Sequence, residues 1–425
     1  MSDPFACNEY NAVSRRKFLG GTAAAIAASS LPAFLPKVAF AQGTSTKDVL
    51  IFIQLIGGVD ALTVCVPHGD PIYYSSRPTL AIPQPGSGSQ FAAIDLDGYF
   101  GLPQCLNPLK PIFDNGHLGI IHAAGRDNWT RSHFDAQFMM QSDSINLTDG
   151  GWIARHLASS SQTYADAAFR GFAFTDTTPV TMVKGQQVVS TSRPESIAFG
   201  AGYADDAEIA ATISRMYSRV KDESRGVVRD SKRTIDALSP LNLGSYSSAA
   251  SLPYPDTLIG NALRSSAGMI KGGIGVEVLQ IDWPGWDTHA GQGSVGGLLH
   301  NMLRTLADGL AAFYADMEAS GRTDWTIVLL SEFGRQVEEN GSQGTEHGSG
   351  GTLLTLGPNV QSGIHTTWPG LEIENRRDGV DIMPTTDYRD VLGELLRNRL
   401  HNGNVSFVLP SKPVENTGAK WFKAA

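Results

Sequence analysis

Hydrophobic residues fall into short, nearly continuous runs along this chain. Five of these runs, rich in Val, Ile and Leu, cover residues 48–56, 118–123, 276–281, 326–330 and 352–356. A continuous apolar run of this length is typical of a β-strand that is buried on both faces. The pattern therefore predicts a central sheet whose strands are covered on both sides.

Helical periodicity separates these runs. Amphipathic patterns occupy residues 103–113, 132–141, 296–320 and 386–400. Strands that alternate with helices predict a three-layer α/β fold, with a mostly parallel sheet and helices on both faces. Residues 204–270 differ, because they contain two or three helical patterns and a Ser/Pro-rich link. We predict one α/β domain over residues 42–425, with a helical insertion at 204–270.

The beginning of the chain has the features of an export signal. The polar segment Ser14-Arg15-Arg16-Lys17 precedes an Ala/Gly-rich run at 20–35, and Ala39-Phe40-Ala41 forms a signal-peptidase site. Residues 1–41 are therefore predicted to be a twin-arginine signal peptide, read by the twin-arginine translocase, that sends the protein to the periplasm or outside the cell. The alternative is an uncleaved anchor, but the run is short and mildly apolar for a stable membrane anchor.

Charge and cysteine content narrow the partners and the compartment. The net charge is −9 and no basic stretch follows the signal, which argues against binding to nucleic acid. Of three cysteines, Cys7 lies in the signal, which leaves Cys65 and Cys105. In an oxidising compartment we expect these two to form a disulfide, although two buried thiols are the alternative.

Carboxylates and imidazoles recur where the predicted strands end. The candidate metal ligands are Asp60, His133, Asp287, His289, Glu332 and His347. Loops converge at the carboxyl edge of a parallel sheet, and oxygen and imidazole ligands without thiolates suit Zn²⁺ or a harder ion such as Mn²⁺, Ca²⁺ or Mg²⁺. Each residue alone has an ordinary structural explanation, but together they predict a divalent metal site with one or two ions.

Ser132 is the candidate nucleophile. It begins the segment Ser132-His133-Phe134-Asp135, which is also a capping box, so its simplest role is to cap a helix. A hydroxyl at a helix amino end lies in a field that favours bound anions. Arg126, Arg131 and Arg335 are candidate cations for the oxygens of a tetrahedral anion.

These motifs resemble a known family. The segments GGVDALTVCVPHGDPIYYSSRPTLAI, RSHFDAQ, GWDTHAGQG, SEFGRQVEENGSQGTEHGSGG and TTDYRDVL are similar to those of the domain-of-unknown-function 1501 (DUF1501) family. That family consists of exported bacterial proteins that are usually grouped with the alkaline phosphatase and sulfatase superfamily.

The resemblance implies an arrangement of ligands. Asp287, His289 and His347 would hold one metal ion, and Asp60, Ser132 and Glu332 would hold a second. Two departures affect this assignment: the first pair is spaced D-x-H, and Phe333 stands where the second site would have a histidine. The second ion is then weakly held, recruits His133 or Glu346, or is absent.

Two classes of function follow. The first is a metal-dependent hydrolase of phosphate or sulfate esters that acts through Ser132 on a small-molecule, glycan or lipid ester, with a phospho-group transferase as a variant. The alternative is a non-catalytic scaffold protein of the envelope or the extracellular space. Tight stoichiometric metal is expected of the enzyme and is not required of the scaffold.

Overall fold

The computed structural model describes residues 47–197 and 223–424. Thirteen strands occur in these ranges: β1 Val49–Ile56, β2 Ile94–Asp95, β3 Gly101–Leu102, β4 Leu118–Gly125, β5 Gly171–Ala173, β6 Val188–Ser190, β7 Val278–Pro284, β8 Trp325–Leu330, β9 Gly334–Arg335, β10 His347–Gly348, β11 Gly351–Leu356, β12 Gly363–His365 and β13 Thr386–Asp387.

Ten α-helices lie in the same described ranges: α1 Ala61–Val64, α2 Pro71–Ser76, α3 Lys110–Asp114, α4 His133–Ser142, α5 Trp152–Ser159, α6 Glu223–Leu238, α7 Leu258–Lys271, α8 Leu298–Ala319, α9 Tyr388–Asn398 and α10 Val405–Val408. Short 3₁₀ segments join several of them, and the longest, Gln104–Leu109, leads into α3. The four helical patterns of the sequence correspond to this 3₁₀ segment with α3, and to α4, α8 and α9.

The main sheet is mixed and mostly parallel. Its order is β12-β4-β11-β8-β1-β7-β5-β6, with β13 paired to β4. All five apolar runs of the sequence are strands of this sheet (β1, β4, β7, β8 and β11), as predicted. The exception to parallel pairing is β11, which is antiparallel to both β4 and β8.

Helices cover both faces of the sheet, as the continuous apolar runs predict. On one face, Leu50 and Phe52 of β1 pack with Trp152 of α5 and with α9 in a single hydrophobic cluster. On the other face, Phe313 of α8 meets Trp325 of β8 edge-on, with ring centroids 5.1 Å apart. Burial of both faces is the main stabilising term for a sheet of this kind.

The chain divides into two compact units. Within the described ranges, one contains residues 193–197, 223–246 and 272–274, and the other contains 47–192, 247–271 and 275–424. The predicted insertion at 204–270 overlaps the first unit, but residues 204–222 lie outside the described ranges. The single domain with its insertion stays a prediction, as does the signal at 1–41, which also lies outside them.

The expected disulfide is wrong in this structure. Cys65 and Cys105 are both buried free thiols. Cys65 ends the turn of α1 and Cys105 lies in the 3₁₀ segment Gln104–Leu109, where each packs as a small apolar side chain. Burial raises the pKa of both thiols, that of Cys105 to about 12, so neither is a reactive thiolate.

No helix within the described ranges is long and apolar enough to cross a membrane.

Candidate metal and catalytic site

The strand directions explain why distant segments meet at one edge. β1, β7 and β8 run parallel, so the loops that follow them leave from the same edge of the sheet. β11 runs antiparallel to β8 and to β4, so β4 also ends at this edge while β11 begins there. As a result, the loops after β4, β7 and β8 and the turn before β11 converge.

Three imidazoles converge on one carboxylate at this edge. The Nε2 atoms of His289 and His347 lie 3.0 and 3.1 Å from Oδ1 of Asp287, and 2.9 Å from each other. Nε2 of His133 lies 3.4 Å from the other oxygen, Oδ2. His133, Asp287 and His347 each offer a ligand atom, and these atoms all lie within 4.8 Å of one another. We call His133, Asp287, His289 and His347 the His–Asp cluster.

Two of the rings are held from behind by carboxylates. Nδ1 of His133 lies 2.8 Å from Oε1 of Glu332, and Nδ1 of His289 lies 2.9 Å from Oε2 of Glu346. A carboxylate only accepts hydrogen bonds, so each of these contacts favours a proton on Nδ1. In the neutral ring the lone pair is then on Nε2, the nitrogen that lies nearer Asp287.

The third ring is held in the same sense by a carbonyl. Nδ1 of His347 lies 2.8 Å from the backbone oxygen of Arg131, which also only accepts. Burial lowers the pKa of His347, and the hydrogen bonds to Arg131 and Asp287 offset this only in part. His347 is therefore neutral near pH 7, with its Nε2 lone pair inside the cluster.

The interior of the cluster consequently contains acceptors without matching protons. Nε2 of His133 is buried and has no hydrogen-bond partner. The Nε2 atoms of His289 and His347 lie 2.9 Å apart, and in the tautomer with the proton on Nδ1 neither of them carries a proton. Lone pairs brought this close to each other and to a carboxylate are relieved by a cation, and imidazole with carboxylate is a common donor set for Zn²⁺ or Mn²⁺. The residues present fit a divalent ion.

Asp287 remains ionised across the physiological range. Burial is the largest single influence and raises its pKa, but the hydrogen bond from Arg335 and its positive charge, together with the imidazoles of the cluster, lower it by more. The pKa of Asp287 is lowered to about 2. Arg335 Nη2 donates to Oδ1 at 2.6 Å, which leaves Oδ2 as the freer oxygen.

Glu332 supports His133 and lies behind the cluster. Its buried carboxylate accepts from the Gly57 N–H at 2.9 Å, from Gln137 Nε2 at 3.2 Å and from Ser331 Oγ at 3.0 Å, in addition to His133. Gly57 has φ of 131°, and a Cβ there would lie 2.4 Å from the backbone nitrogen of Asp287. Only glycine allows this N–H to reach Glu332 while the Asp287 loop packs against it.

Phe333 forms a wall for the imidazoles. Its ring centroid lies 4.9 Å from that of His133 and 4.6 Å from that of His347. Phe333 is buried. Phe333, which stands where a second metal site would have a histidine, therefore restricts the ring orientations of His133 and His347.

Asp60 is engaged elsewhere. Its Oδ2 accepts from Arg77 at 2.5 Å, from Thr63 at 2.6 Å and from Gln292 at 2.8 Å, and all four residues are buried. Burial raises the pKa of Asp60, but the charge and hydrogen bond of Arg77 and the bonds from Thr63 and Gln292 lower it further than burial raises it. Asp60 Oδ1 is buried without a partner. No contact joins Asp60 to the His–Asp cluster within the described residues.

Ser132 caps α4. Its Oγ accepts from the Asp135 N–H at 3.4 Å, a long hydrogen bond, as the capping-box pattern predicts. Ser132 stands between Arg131, whose carbonyl holds His347, and His133 of the cluster. The candidate nucleophile is thus carried by a turn that is attached to the cluster on both sides.

The three candidate arginines are all occupied by protein groups. Arg126 donates to Asn128, to the carbonyl of Met139 and to Tyr388. Arg335 is fully buried. It donates to the Asp287 carboxylate and to four backbone carbonyls, those of Gly57, Gly58, Trp286 and Thr345. Arg131 donates to His347 O and to Asp381, and its guanidinium lies over Trp129. Only Arg131 is exposed, so only its guanidinium is placed to meet a ligand from solvent.

Two supporting residues lie in the segments that resemble the family, but the sequence did not indicate their contacts. Arg77 neutralises Asp60 from 17 positions away. Asn340 donates to Glu346 Oε1 at 2.7 Å and to the carbonyl of His289 at 2.8 Å, which fixes the pair that orients His289. Neither residue lies in a motif whose spacing indicates such a contact. Glu346 was recognisable only as one of two possible additional ligands.

The fold and the cluster define an α/β protein with a histidine–carboxylate site at the carboxyl edge of a mixed sheet. The family model described as "Protein of unknown function (DUF1501)" matches residues 271–388. The match supports the family resemblance, and this segment carries Asp287, His289, Glu332 and His347.

Among solved structures, one similar chain is the phosphonoacetate hydrolase from Sinorhizobium meliloti 1021 in complex with phosphonoformate. The identity is 11%, the TM-score is 0.29, and the alignment covers 69% of this chain and 57% of the hydrolase. This chain thus spans little more than half the length of that protein. No curated protein matches the chain.

Proposed function

We propose that this protein is an exported metal-dependent hydrolase of phosphate or sulfate esters, with the His–Asp cluster as its metal site. The observation that carries the proposal is the orientation of the three histidines. An acceptor lies beside each Nδ1, so each ring in its neutral form presents the Nε2 lone pair to the interior of the cluster. Such second-sphere anchoring is a general feature of metal-binding histidines.

His133, Asp287, His289 and His347 would hold one divalent ion. Glu332, Glu346 and the Arg131 carbonyl would keep the imidazoles in the ligating tautomer. The bound ion would supply electrostatic stabilisation of ester oxygens and would lower the pKa of a nearby hydroxyl or water. Because Asp60 is neutralised by Arg77 and Glu332 is committed to His133, we propose a single ion for these ligands.

Ser132 is the proposed nucleophile. Its Oγ would form a bond to phosphorus or sulfur while the bond from that atom to the alcohol oxygen breaks. The serine proton passes to solvent, and the departing alkoxide takes a proton from water. A water molecule then hydrolyses the ester on Ser132 and restores the hydroxyl, so the net reaction consumes one water. The amino end of α4 and the exposed guanidinium of Arg131 favour the anionic group at this position.

Export is part of the proposal. The segment containing Arg15 and Arg16 is proposed to direct the folded chain through the twin-arginine translocase to the periplasm or beyond. Substrates would then be small-molecule, glycan or lipid esters found outside the cytoplasm.

One observation favours the non-catalytic alternative. Arg126 and Arg335, two of the three candidate anion-binding side chains, are consumed by internal hydrogen bonds. A scaffold that had lost catalysis would have no need of free cations. Hydrolysis is therefore the property to test.

The test is an ester panel in the presence of added Zn²⁺ or Mn²⁺. Aryl phosphate monoesters, diesters and sulfates are compared for the wild type, Asp287→Asn and Asp308→Asn. Asp308 is a partly exposed carboxylate paired with Arg304, so its variant is a matched control. We expect metal-dependent turnover of at least one ester class that falls by orders of magnitude in Asp287→Asn alone. Absence of turnover for every class at every metal contradicts the proposal.

A further inference from the structure

Arg131 is fixed along one edge of its guanidinium. Its Nε donates to the backbone oxygen of His347 at 3.2 Å, and its Nη2 donates to Oδ2 of Asp381 at 3.1 Å. Trp129 covers one face of the group, with its ring centroid 4.5 Å from the guanidinium carbon. The side chain is 45% exposed, but two of its three nitrogens are bonded to the protein, so its orientation is set before any ligand arrives.

The other edge of the same guanidinium is open. Within the part of the chain that the structure describes, Nη1 of Arg131 has no hydrogen-bond partner. The N–H groups of a guanidinium lie in one plane as a rigid fork, so the edge formed by Nη1 and Nη2 still presents two parallel N–H groups. Two oxygens of one tetrahedral anion fit such a pair.

Asp381 lies at a fixed position behind this arginine. It is 0% exposed, and its backbone N–H and C=O each form a hydrogen bond of 3.0 Å with the backbone of Arg377. Its Oδ2 meets Arg131, whereas its Oδ1 is buried without a hydrogen-bond partner. A buried carboxylate with a single ionic partner costs stability relative to an apolar side chain. What the fold gains from this carboxylate is the contact that fixes Arg131.

The fixed arginine is also joined to the His–Asp cluster. The Arg131 carbonyl lies 2.8 Å from Nδ1 of His347, and the Arg131 Nε donates to the His347 carbonyl. Two contacts therefore set the place of the guanidinium relative to the residue that carries one of the cluster imidazoles. An anion on the open edge of Arg131 is held at a defined position relative to His347.

We propose that Asp381 is a positioning residue for oxyanion binding, which holds Arg131 against Trp129 with its Nη1–Nη2 edge free for two oxygens of a phosphate or sulfate group. The choice of anion rests on the proposed hydrolase function. A free arginine loses side-chain freedom when it binds a ligand, whereas Arg131 has already lost it, so the contact with Asp381 strengthens binding. The negative charge of Asp381 acts in the opposite sense, because it repels the same anion.

Substitution by Asn and by Leu separates these two effects. Both remove the charge of Asp381 and both are close to Asp in size, but only Asn keeps an oxygen that accepts from Arg131. We expect Asp381→Leu to bind sulfate about 5-fold more weakly than Asp381→Asn, a typical cost of immobilising one long side chain. The same two changes at Asp308, which pairs with Arg304 within α8, should give equal affinities. Equal affinities for the two Asp381 variants overturn the proposal.

A second comparison shows whether Asp381 acts through Arg131. Sulfate affinity is measured by isothermal titration calorimetry in the presence of Zn²⁺, with circular dichroism to verify folding, and both Asp381 variants are repeated in an Arg131→Met background. The 5-fold difference should disappear there, because the guanidinium that Asp381 positions is gone. A difference that persists without Arg131 refutes the positioning role. If Asp381→Leu does not fold, Asp381→Ala, which removes the same oxygen with less bulk, takes its place.

These measurements do not need turnover. If no ester is hydrolysed but the wild type binds sulfate and the variants follow the expected pattern, the hydrolase proposal fails and the positioning role of Asp381 stands. If esters are hydrolysed but Asp381→Asn and Asp381→Leu bind sulfate equally, the hydrolase proposal stands and the positioning role is refuted. A wild type that does not bind sulfate also refutes the positioning role.

Discussion

Replacement of Glu332 by Gln changes one atom behind the His–Asp cluster and should weaken metal binding. Glu332 Oε1 receives three N–H groups, from His133, Gln137 and Gly57. Oε2 accepts from Ser331 Oγ and shares the Gly57 N–H at 3.1 Å. The amide of Gln can therefore keep an acceptor oxygen at the Oε1 position for these three donors, and it loses only the contacts of Oε2. The fold should survive the substitution.

What is lost is the negative charge behind His133. A charge-assisted hydrogen bond to Nδ1 becomes a neutral one, roughly half as strong. The imidazole is then less basic at Nε2, and loss of such second-sphere partners typically lowers metal affinity by about 10–100-fold. This range corresponds to about 1.4–2.7 kcal/mol.

Competition with a chromophoric chelator measures the affinity for Zn²⁺ and Mn²⁺ at pH 7.5. Glu338→Gln is the matched control, because Glu338 is an exposed carboxylate paired with Arg376 away from the cluster. We expect Glu338→Gln to bind like the wild type and Glu332→Gln to bind at least 10-fold more weakly. Equal affinities in all three proteins would show that Glu332 does not orient a metal ligand.

Three further predictions concern other residues. Ser132→Asp should fold as stably as the wild type, because Asp caps helices equally well, but should lose ester hydrolysis; full activity in the stable variant excludes the nucleophile. Burial raises the pKa of Asp282 to about 6 from 3.8, so its ionisation destabilises the folded state as pH rises through this interval. Relative to the wild type, Asp282→Asn should therefore gain up to about 3 kcal/mol of unfolding free energy at pH 8 and little at pH 4. Equal denaturant midpoints for the wild type and Asp282→Asn at both pH values would refute this. Replacement of Arg15 and Arg16 by Lys should leave the precursor in the cytoplasm by cell fractionation, and normal export would indicate another route.

The fold was predictable from the sequence because its strands are buried on both faces. Each of the five apolar runs is a strand of the main sheet, and the helical patterns match the described helices to within a few residues. The sequence did not show that β11 is antiparallel. That direction decides the site, because His347 precedes β11 and would lie at the opposite edge if this strand were parallel.

The candidate site was predictable in its members and less so in their contacts. Asp287, His289, His347 and His133 meet as a cluster, whereas Asp60 pairs with Arg77 and Glu332 supports a histidine. Such assignments depend on which side chain neutralises a buried carboxylate. Arg77 neutralises Asp60 from 17 residues away, and no helical or strand periodicity in the sequence links the two positions. The error on Cys65 and Cys105 has a similar origin, because an even cysteine number in an exported chain says nothing about how the two side chains pack.

The central claim is that the three imidazoles and Asp287 hold a divalent ion. Inductively coupled plasma mass spectrometry should be carried out on the folded wild type and on His347→Ala, after loading with Zn²⁺ or Mn²⁺ and gel filtration. We expect one equivalent of metal per chain in the wild type, and its loss in His347→Ala with an unchanged circular dichroism spectrum. A wild type that retains no metal under any loading condition, or a His347→Ala protein that retains the full equivalent, would contradict this claim.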